Sequence, residues 1–284
     1  MKPLPNRPVY FITGLMGCGK STVSNILKYR HFEVINMDGF AKHLMLDDAI
    51  KFKMIKYFGK EVVNDNGQYN TDYVKSIYFL PEYDAKREEF EEEFDTLLGE
   101  SLYEYFETVG NEGLPIFIEV PSFNTTRFER ICNMFYGHLK AVINVCVDEQ
   151  TRISRLVQNR GMTLDEIKLR GRLQSDLEDP NNKPKYVNTL IEIRNDGDMA
   201  KLYDTVRTIL ELDNFFDKEM KEKIFEHYLS RMPSYVKANM RCYVYYNSTG
   251  CGSCPCPCDN SEKHFEDTVK TWLDKHRGSN EKDN

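Results

Sequence analysis

The sequence predicts an α/β fold, a five-stranded parallel sheet with helices on both faces, and three observations lead to it. Short runs rich in Val, Ile and Phe alternate along the chain with stretches of helical periodicity, the pattern of strands joined by helical crossovers. The first such run ends in a glycine-rich turn, Gly14-x-x-x-x-Gly19-Lys20-Ser21, that continues as a helix. With 284 residues, 40% of them hydrophobic, the chain is long enough to bury one such core and leave a small appendage.

The first strand is Val9–Thr13, and the helix after the turn covers Thr22–Tyr29. Between them, Gly14, Leu15, Met16, Gly17, Cys18, Gly19, Lys20, Ser21 and Thr22 form a P-loop, a cradle for phosphates. The glycines permit tight turns and close backbone approach, so successive N–H groups and the helix N-terminus point at an anion. Lys20 is expected to reach the β- and γ-phosphates and the Ser21 hydroxyl to ligate Mg²⁺.

The second strand, Phe32–Asn36, is followed by Asp38 and a helix over Gly39–Leu46. Ligands of such sheets bind beyond the carboxyl ends of the strands, which marks Gly14, Met37–Asp38, Pro121–Ser122, Asp148 and Arg194–Asn195. Asp38 therefore has two readings of equal standing: a carboxylate that orients an attacking hydroxyl, or the N-cap of its helix. The residues between the second and third strands, about 40–112, exceed what a crossover needs and read as a helical insertion of the kind that binds a second substrate. Within it, Lys86–Glu107 spaces Phe90, Phe94, Leu97, Leu98, Leu102 and Phe106 as one apolar helical face, with a solvated acidic face opposite.

The third and fourth strands are Ile116–Val120 and Ala141–Val147. The helix Asp148–Asn159 puts Ile153, Leu156 and Val157 on one face and Arg155 nearly opposite, and Arg160-Gly161 ends it. Thr163-Leu-Asp-Glu166 is a capping box that opens the next helix. The resulting hairpin, about 150–178, carries Arg152, Arg155, Arg160, Arg170 and Arg172. Arg155 and Arg160 flank one turn at the expected mouth, which favours a lid that closes over the phosphates against a merely solubilising surface helix. The fifth strand is Thr189–Ile193.

A net charge of −7 argues against broad electrostatic binding to nucleic acid and points to small-molecule partners. No apolar run approaches the ~20 residues that span a bilayer, and the start MKPLPNRP lacks the apolar core of a signal peptide. A cytoplasmic setting is the expectation, where the eight cysteines would be thiols or metal ligands and not a disulfide framework.

The ordered blocks GLMGCGKST, VINMDGFAKHL, YFGKEVVNDNGQYN, FIEVP, VINVCVDEQTRISRLVQNRGMTLDEIKLRGRLQ and IEIRNDGD resemble the dephospho-coenzyme A kinase family from about Val9 to Leu212. The resemblance implies ATP-dependent phosphorylation of the 3′-hydroxyl of dephospho-CoA. It implies Asp38 as catalytic carboxylate, Lys20 and Ser21 as phosphate and Mg²⁺ groups, Arg155 and Arg160 as lid arginines, and the Asn195-Asp196-Gly197 turn, Asn195 included, near the adenine of ATP. The chain departs from the family pattern on the acceptor side. Asn36-Met37-Asp38 stands for Asp-x-Asp, Gly99-Glu100 for His-Pro, and Pro121-Ser122-Phe123-Asn124 for Pro-Leu-Leu followed by an acid. A kinase of another nucleotide or nucleoside acceptor, and a non-catalytic nucleotide-binding interaction protein, stand as the other readings.

The kinase domain is expected over 1–213 and a helical, Cys-rich extension over 214–284. In the extension, Cys251, Cys254, Cys256 and Cys258 are candidate Zn²⁺ ligands, although a C-x-C-x-C run with interleaved prolines departs from the usual paired knuckles. Cys18, Cys132 and Cys146 read as small buried residues.

Overall fold

The computed structural model describes residues 7–30, 32–108, 113–185, 187, 189–211 and 215–231. The chain divides into two compact units, Met1–Phe216 and Asp217–Asn284. In the second, the described element is the helix Lys218–Arg231. The Cys251–Cys258 cluster lies outside the described residues.

The first unit is built on five strands: β1 (Val9–Thr13), β2 (Glu33–Asn36), β3 (Ile116–Glu119), β4 (Leu139–Cys146) and β5 (Leu190–Arg194). They pair in the order β2-β3-β1-β4-β5, with every pairing parallel. Each expected strand is present within two residues of its expected bounds. The three central strands are apolar on both faces because helices cover both, so nearly every residue of β1, β3 and β4 is buried.

Alternate residues of β1 serve the two faces. Val9 and Phe11 join one core with Ile116, Ile118 and the insertion helices. On the other face Tyr10 stacks on Phe117 and Phe215 at centroid distances of 5.2 and 4.8 Å, and its hydroxyl donates to the Phe215 carbonyl. Phe216 meets Tyr10 edge-on and Phe32 face-on. These two phenylalanines are the last residues of the first unit, which ends at Phe216.

The helices of this unit are α1 (Lys20–Tyr29), α2 (Met37–Leu44), α3 (Asp48–Phe58), α4 (Thr71–Ile77), α5 (Asp84–Thr108), α6 (Thr125–Met134), α7 (Glu149–Arg160), α8 (Leu164–Gly171) and α9 (Met199–Glu211). Helices α2 to α5 make up the insertion between β2 and β3. None of the described helices is long and apolar enough to cross a membrane.

Helix α5 buries Phe90, Phe94, Leu98, Leu102 and Phe106 as its spacing predicts. Its acidic face is not simply solvated, which corrects the expectation. Asp95 is 0% exposed and takes a forked contact from Arg127 of α6, with Nη2 2.7 Å from Oδ1, and a further contact from Arg130. Arg127 Nη1 also lies 2.8 Å from Glu91, whose other contact is the Tyr78 hydroxyl. Burial works against the Arg127 charge, but Asp95 and Glu91 outweigh it and hold the guanidinium ionised, with its plane against the Phe123 ring. These carboxylates are inward-facing because α6 brings two arginines to them.

Two predictions follow from this packing. Asp95→Ala leaves Arg127 short of its buried counter-charge and is expected to cost about 3–5 kcal/mol in chemical denaturation. A chain ending after Phe216 should fold cooperatively, whereas one ending at residue 214 loses two buried rings, on the order of 3–6 kcal/mol, and should melt well below it.

Candidate active site

The glycine loop between β1 and α1 is shaped by contacts that only glycine accommodates. Gly14 (φ +140°) and Gly19 (φ +99°) adopt backbone conformations that L side chains rarely take. A Cβ on Gly14 would lie 2.2 Å from the Val145 carbonyl oxygen, and one on Gly19 would lie 2.2 Å from Asn195 Nδ2. The close approach at Gly19 lets Asn195 Nδ2 donate to the Cys18 carbonyl at 2.8 Å. Helix α1 has no side-chain cap, so the orphan N–H groups of its first turn are left for an anion.

Lys20, the first residue of α1, reaches back across the loop and donates to the carbonyls of Gly14 (2.7 Å) and Leu15 (3.3 Å). An ammonium has three N–H donors, so one remains for a phosphate.

Beside the loop lies a cavity of about 700 Å³. Its walls include Met16, Gly17, Gly19, Lys20, Ser21 and Thr22 from the loop and α1, Asp38 from α2, Arg155 and Arg160 from α7, and Asn195 after β5. Residues that are far apart in sequence thus meet at the carboxyl ends of the strands, where a parallel sheet places its ligands. Arg155 Nη2 donates to the Asn195 carbonyl at 3.0 Å, which holds this guanidinium at the cavity wall. Arg160 is exposed and makes no ion pair with a carboxylate among the described residues. Of the loop residues named from the sequence, Leu15 and Cys18 lie behind this wall and line a separate cavity with Cys146 and Arg152.

Asp38 is not a helix cap. Asn36 caps α2, its Oδ1 accepting the Gly39 N–H at 2.9 Å, and Asp38 sits in the first helical turn, exposed to the cavity. The carboxamide at position 36 therefore has a structural task. Asn124 does the same for α6, accepting from the Arg127 N–H.

The five arginines of the hairpin divide into two groups. Arg152 is 8% exposed, paired with Glu149 at 2.6 and 2.7 Å, and donates to the Met16 carbonyl. It braces the loop from behind instead of facing the cavity. Arg172 is held by Asp84 and the Phe79 carbonyl, and Arg170 lies over the Phe79 ring. The hairpin itself forms as its sequence indicates, with Gly161 in the left-handed conformation and both bonds of the Thr163–Glu166 capping box in place. Val157, expected on the apolar face with Leu156, is 42% exposed; Arg152 takes the buried position instead.

Several lining residues escape sequence reasoning. Glu119 ends β3, in register with both Asn36 of β2 and Ile12 of β1. The expected strand ran one residue further, to Val120, which drew attention to Pro121 and Ser122 and past Glu119. Those two also line the cavity, as does Asp198, which caps α9 by accepting the Lys201 N–H. Gln174 carries no sequence signal; its Oε1 accepts the Met16 N–H at 3.1 Å.

The donor set suits a hard divalent cation. The Ser21 hydroxyl and the carboxylates of Asp38 and Glu119 line the same cavity, all oxygen ligands of the kind Mg²⁺ prefers. The cysteines of this unit are not part of that set. Cys18, Cys132 and Cys146 are all buried, and burial pushes the Cys132 thiol up to about 12 and raises the other two. Among the described residues no cluster of His, Cys, Asp and Glu could hold a metal by itself.

A family profile described as Dephospho-CoA kinase matches residues 9–201. The dephospho-CoA kinase of Staphylococcus epidermidis (strain ATCC 12228) is 24% identical over 209 residues, covering 73% of this chain and 96% of that protein. The dephospho-CoA kinase of Staphylococcus aureus (strain Mu50) is 24% identical over 208 residues, covering 73% and 94%. The crystal structure of TT1252 from Thermus thermophilus superposes with a TM-score of 0.51 at 23% identity, over 72% of this chain and 96% of that one, and shares its fold. With a profile that spans the sheet, the glycine loop, the insertion and the arginine hairpin, the chain belongs to the dephospho-CoA kinase family, a family of kinases with an ATP donor.

Proposed function

We propose that this protein transfers the γ-phosphoryl group of ATP to the 3′-hydroxyl of dephospho-CoA, in the cytoplasm. The observation that supports this best is the convergence of Lys20, Ser21, Asp38, Arg155 and Arg160 on one cavity large enough for a nucleotide. The relatives named above carry the same activity in their names.

In this reading the glycine loop and the first turn of α1 bind the β- and γ-phosphates through backbone N–H groups. Lys20 adds its remaining ammonium donor, and Ser21, with Glu119 nearby, would hold Mg²⁺. Mg²⁺ held there would supply positive charge against the phosphate oxygens. Arg155, anchored on the Asn195 carbonyl, and Arg160, at the end of α7, face the charge that spreads over the transferring group. Asp38 accepts the proton of, or orients, the acceptor hydroxyl from across the cavity. The turn after β5 sits beside the loop, in a place suited to the adenine of ATP, with the Asn195 amide already engaged on Cys18. The insertion α2 to α5 would hold the acceptor.

The departures Asn36 and Asn124 serve as helix caps, so they bear on the acceptor less directly than their positions in the sequence suggest. The choice between dephospho-CoA and another nucleotide or nucleoside is made by turnover with a panel of acceptors at saturating MgATP. The reading expects dephospho-CoA to have the highest kcat/KM, and preference for a nucleoside or another nucleotide would replace it.

Asp38→Asn should lower turnover by on the order of 10²–10⁴ while ATP affinity changes little, as for loss of a general base; unchanged turnover would remove Asp38 from the chemistry. Lys20→Ala should abolish detectable phosphoryl transfer with the melting temperature of the nucleotide-free protein nearly unmoved, because the side chain lies on the loop surface and its loss opens no core cavity. Near-normal turnover of that variant would show that the donor phosphates bind elsewhere.

A further inference from the structure

Four consecutive residues after α8, 172–175, tie three parts of the site together. Arg172 clasps the insertion. Its Nη1 and Nη2 lie 2.9 and 2.7 Å from the two oxygens of Asp84, the first residue of α5, and Nη2 donates to the Phe79 carbonyl at 2.6 Å. Two residues on, Gln174 Oε1 accepts the N–H of Met16 at the tip of the glycine loop. The next residue, Ser175, donates its backbone N–H to the Phe123 carbonyl at 2.8 Å and shares a hydroxyl contact with Thr125, at the start of α6. The loop tip is gripped from both sides, since the Met16 carbonyl accepts from Arg152.

The spacing makes this a mechanical link. Arg172 and Gln174 are separated by two peptide units, at most about 7 Å along the chain. The Arg172 fork is a planar, bidentate contact that fixes direction as well as distance. A shift of the insertion relative to α8 therefore moves Gln174. Movement of Gln174 in turn shifts the loop backbone at Met16, a residue that lines the cavity.

We propose that residues 172–175 are a strap that couples the acceptor-side insertion to the donor loop, with Arg172 and Gln174 as positioning residues that hold the loop backbone at Met16 in place, and with it the neighbouring loop N–H groups that face the phosphates. The strap rests on the reading of the glycine loop as the donor-nucleotide site and is independent of which acceptor the insertion holds. Its consequence is reciprocal: whatever orders the insertion around Phe79 and Asp84 tightens binding of the nucleotide, and the nucleotide tightens the insertion by the same factor.

The test is a double-mutant cycle read by calorimetric titration of full-length protein with a non-hydrolysable ATP analogue and Mg²⁺. Neither Arg172 nor Asp84 lines the cavity. Even so, Arg172→Met is expected to weaken analogue binding roughly three- to tenfold, and Asp84→Ala to follow it. Gln174→Met, which keeps the length of the side chain but cannot accept the Met16 N–H, should weaken binding by a similar factor. The combination Arg172→Met with Gln174→Met should be no weaker than Gln174→Met alone, because the strap is already cut. Arg172→Lys, which keeps the charge and loses the fork, should behave as Arg172→Met does.

Hydrogen exchange gives a second reading that does not depend on the affinities. The analogue should slow exchange in the peptide spanning Phe79–Asp84 in the wild type and leave it unchanged in Gln174→Met. Normal binding by the wild type with additive effects in the cycle, or with no change at Phe79–Asp84, would overturn the strap. A wild type that fails to bind the analogue at all would overturn the donor-site reading and the strap with it.

Discussion

The structure depends on one close approach, the Asn195 carboxamide against the backbone of the glycine loop. Gly19 must lack a side chain for it to occur, since a Cβ would lie 2.2 Å from Asn195 Nδ2. The contact is buried, with Asn195 7% exposed, and it satisfies the Cys18 carbonyl that the loop would otherwise leave unpaired. Through it the chain after β5 is held against the loop after β1, and the Asn195 carbonyl is presented to Arg155. One side chain thus sets the shape of the phosphate cradle and the place of a cation opposite it. A cradle shaped before the ligand arrives spares the reaction that reorganisation, which is how fixed dipoles and charges stabilise a phosphoryl-transfer transition state.

Charge elsewhere in the unit is largely spent on structure, and this separates the paired arginines from the unpaired ones. Arg127 and Arg130 neutralise Asp95, Arg152 is neutralised by Glu149, and Arg172 by Asp84. The forked arginine contact holds Asp84 down at about 2, with Arg87 assisting, so that carboxylate stays ionised across the physiological range. Among the described residues Arg155 is hydrogen-bonded to a neutral carbonyl and Arg160 has no carboxylate partner, so neither forms an ion pair there. Counting arginines on a hairpin overstates the charge a site can offer. Their partners decide it.

The same economy explains the acceptor side. Asn36 and Asn124 are both occupied as N-caps, each satisfying an orphan N–H at a helix start. Glu119, in register with Asn36 at the mouth of the cavity, supplies a carboxylate on the neighbouring strand. Negative charge therefore stands at the cavity ends of both strands, from Asp38 in the first turn of α2 after β2 and from Glu119 at the end of β3.

Local chemistry settled much of this protein before any tertiary contact formed. The five strands, the glycine loop, the Gly161 helix stop, the Thr163 capping box and the apolar stripe of α5 were legible because each depends on residues within a few positions of one another. Asp38 and Arg155 were legible as candidates because strand ends and helix turns mark where ligands bind. What required the fold was every property set by a partner distant in sequence. Asp95 reads as a solvated acid until α6 places Arg127 against it, and Arg152 reads as one more arginine of the hairpin until Glu149 and the Met16 carbonyl enclose it. Glu119 was hidden by one residue of strand end, and Gln174 had no local signal, since its importance lies in a hydrogen bond to a loop 158 positions away. Periodicity and capping are short-range and so are written in the sequence. The pairing of buried charges and the bracing of the cradle are long-range, and only the assembled sheet and its helices decide them.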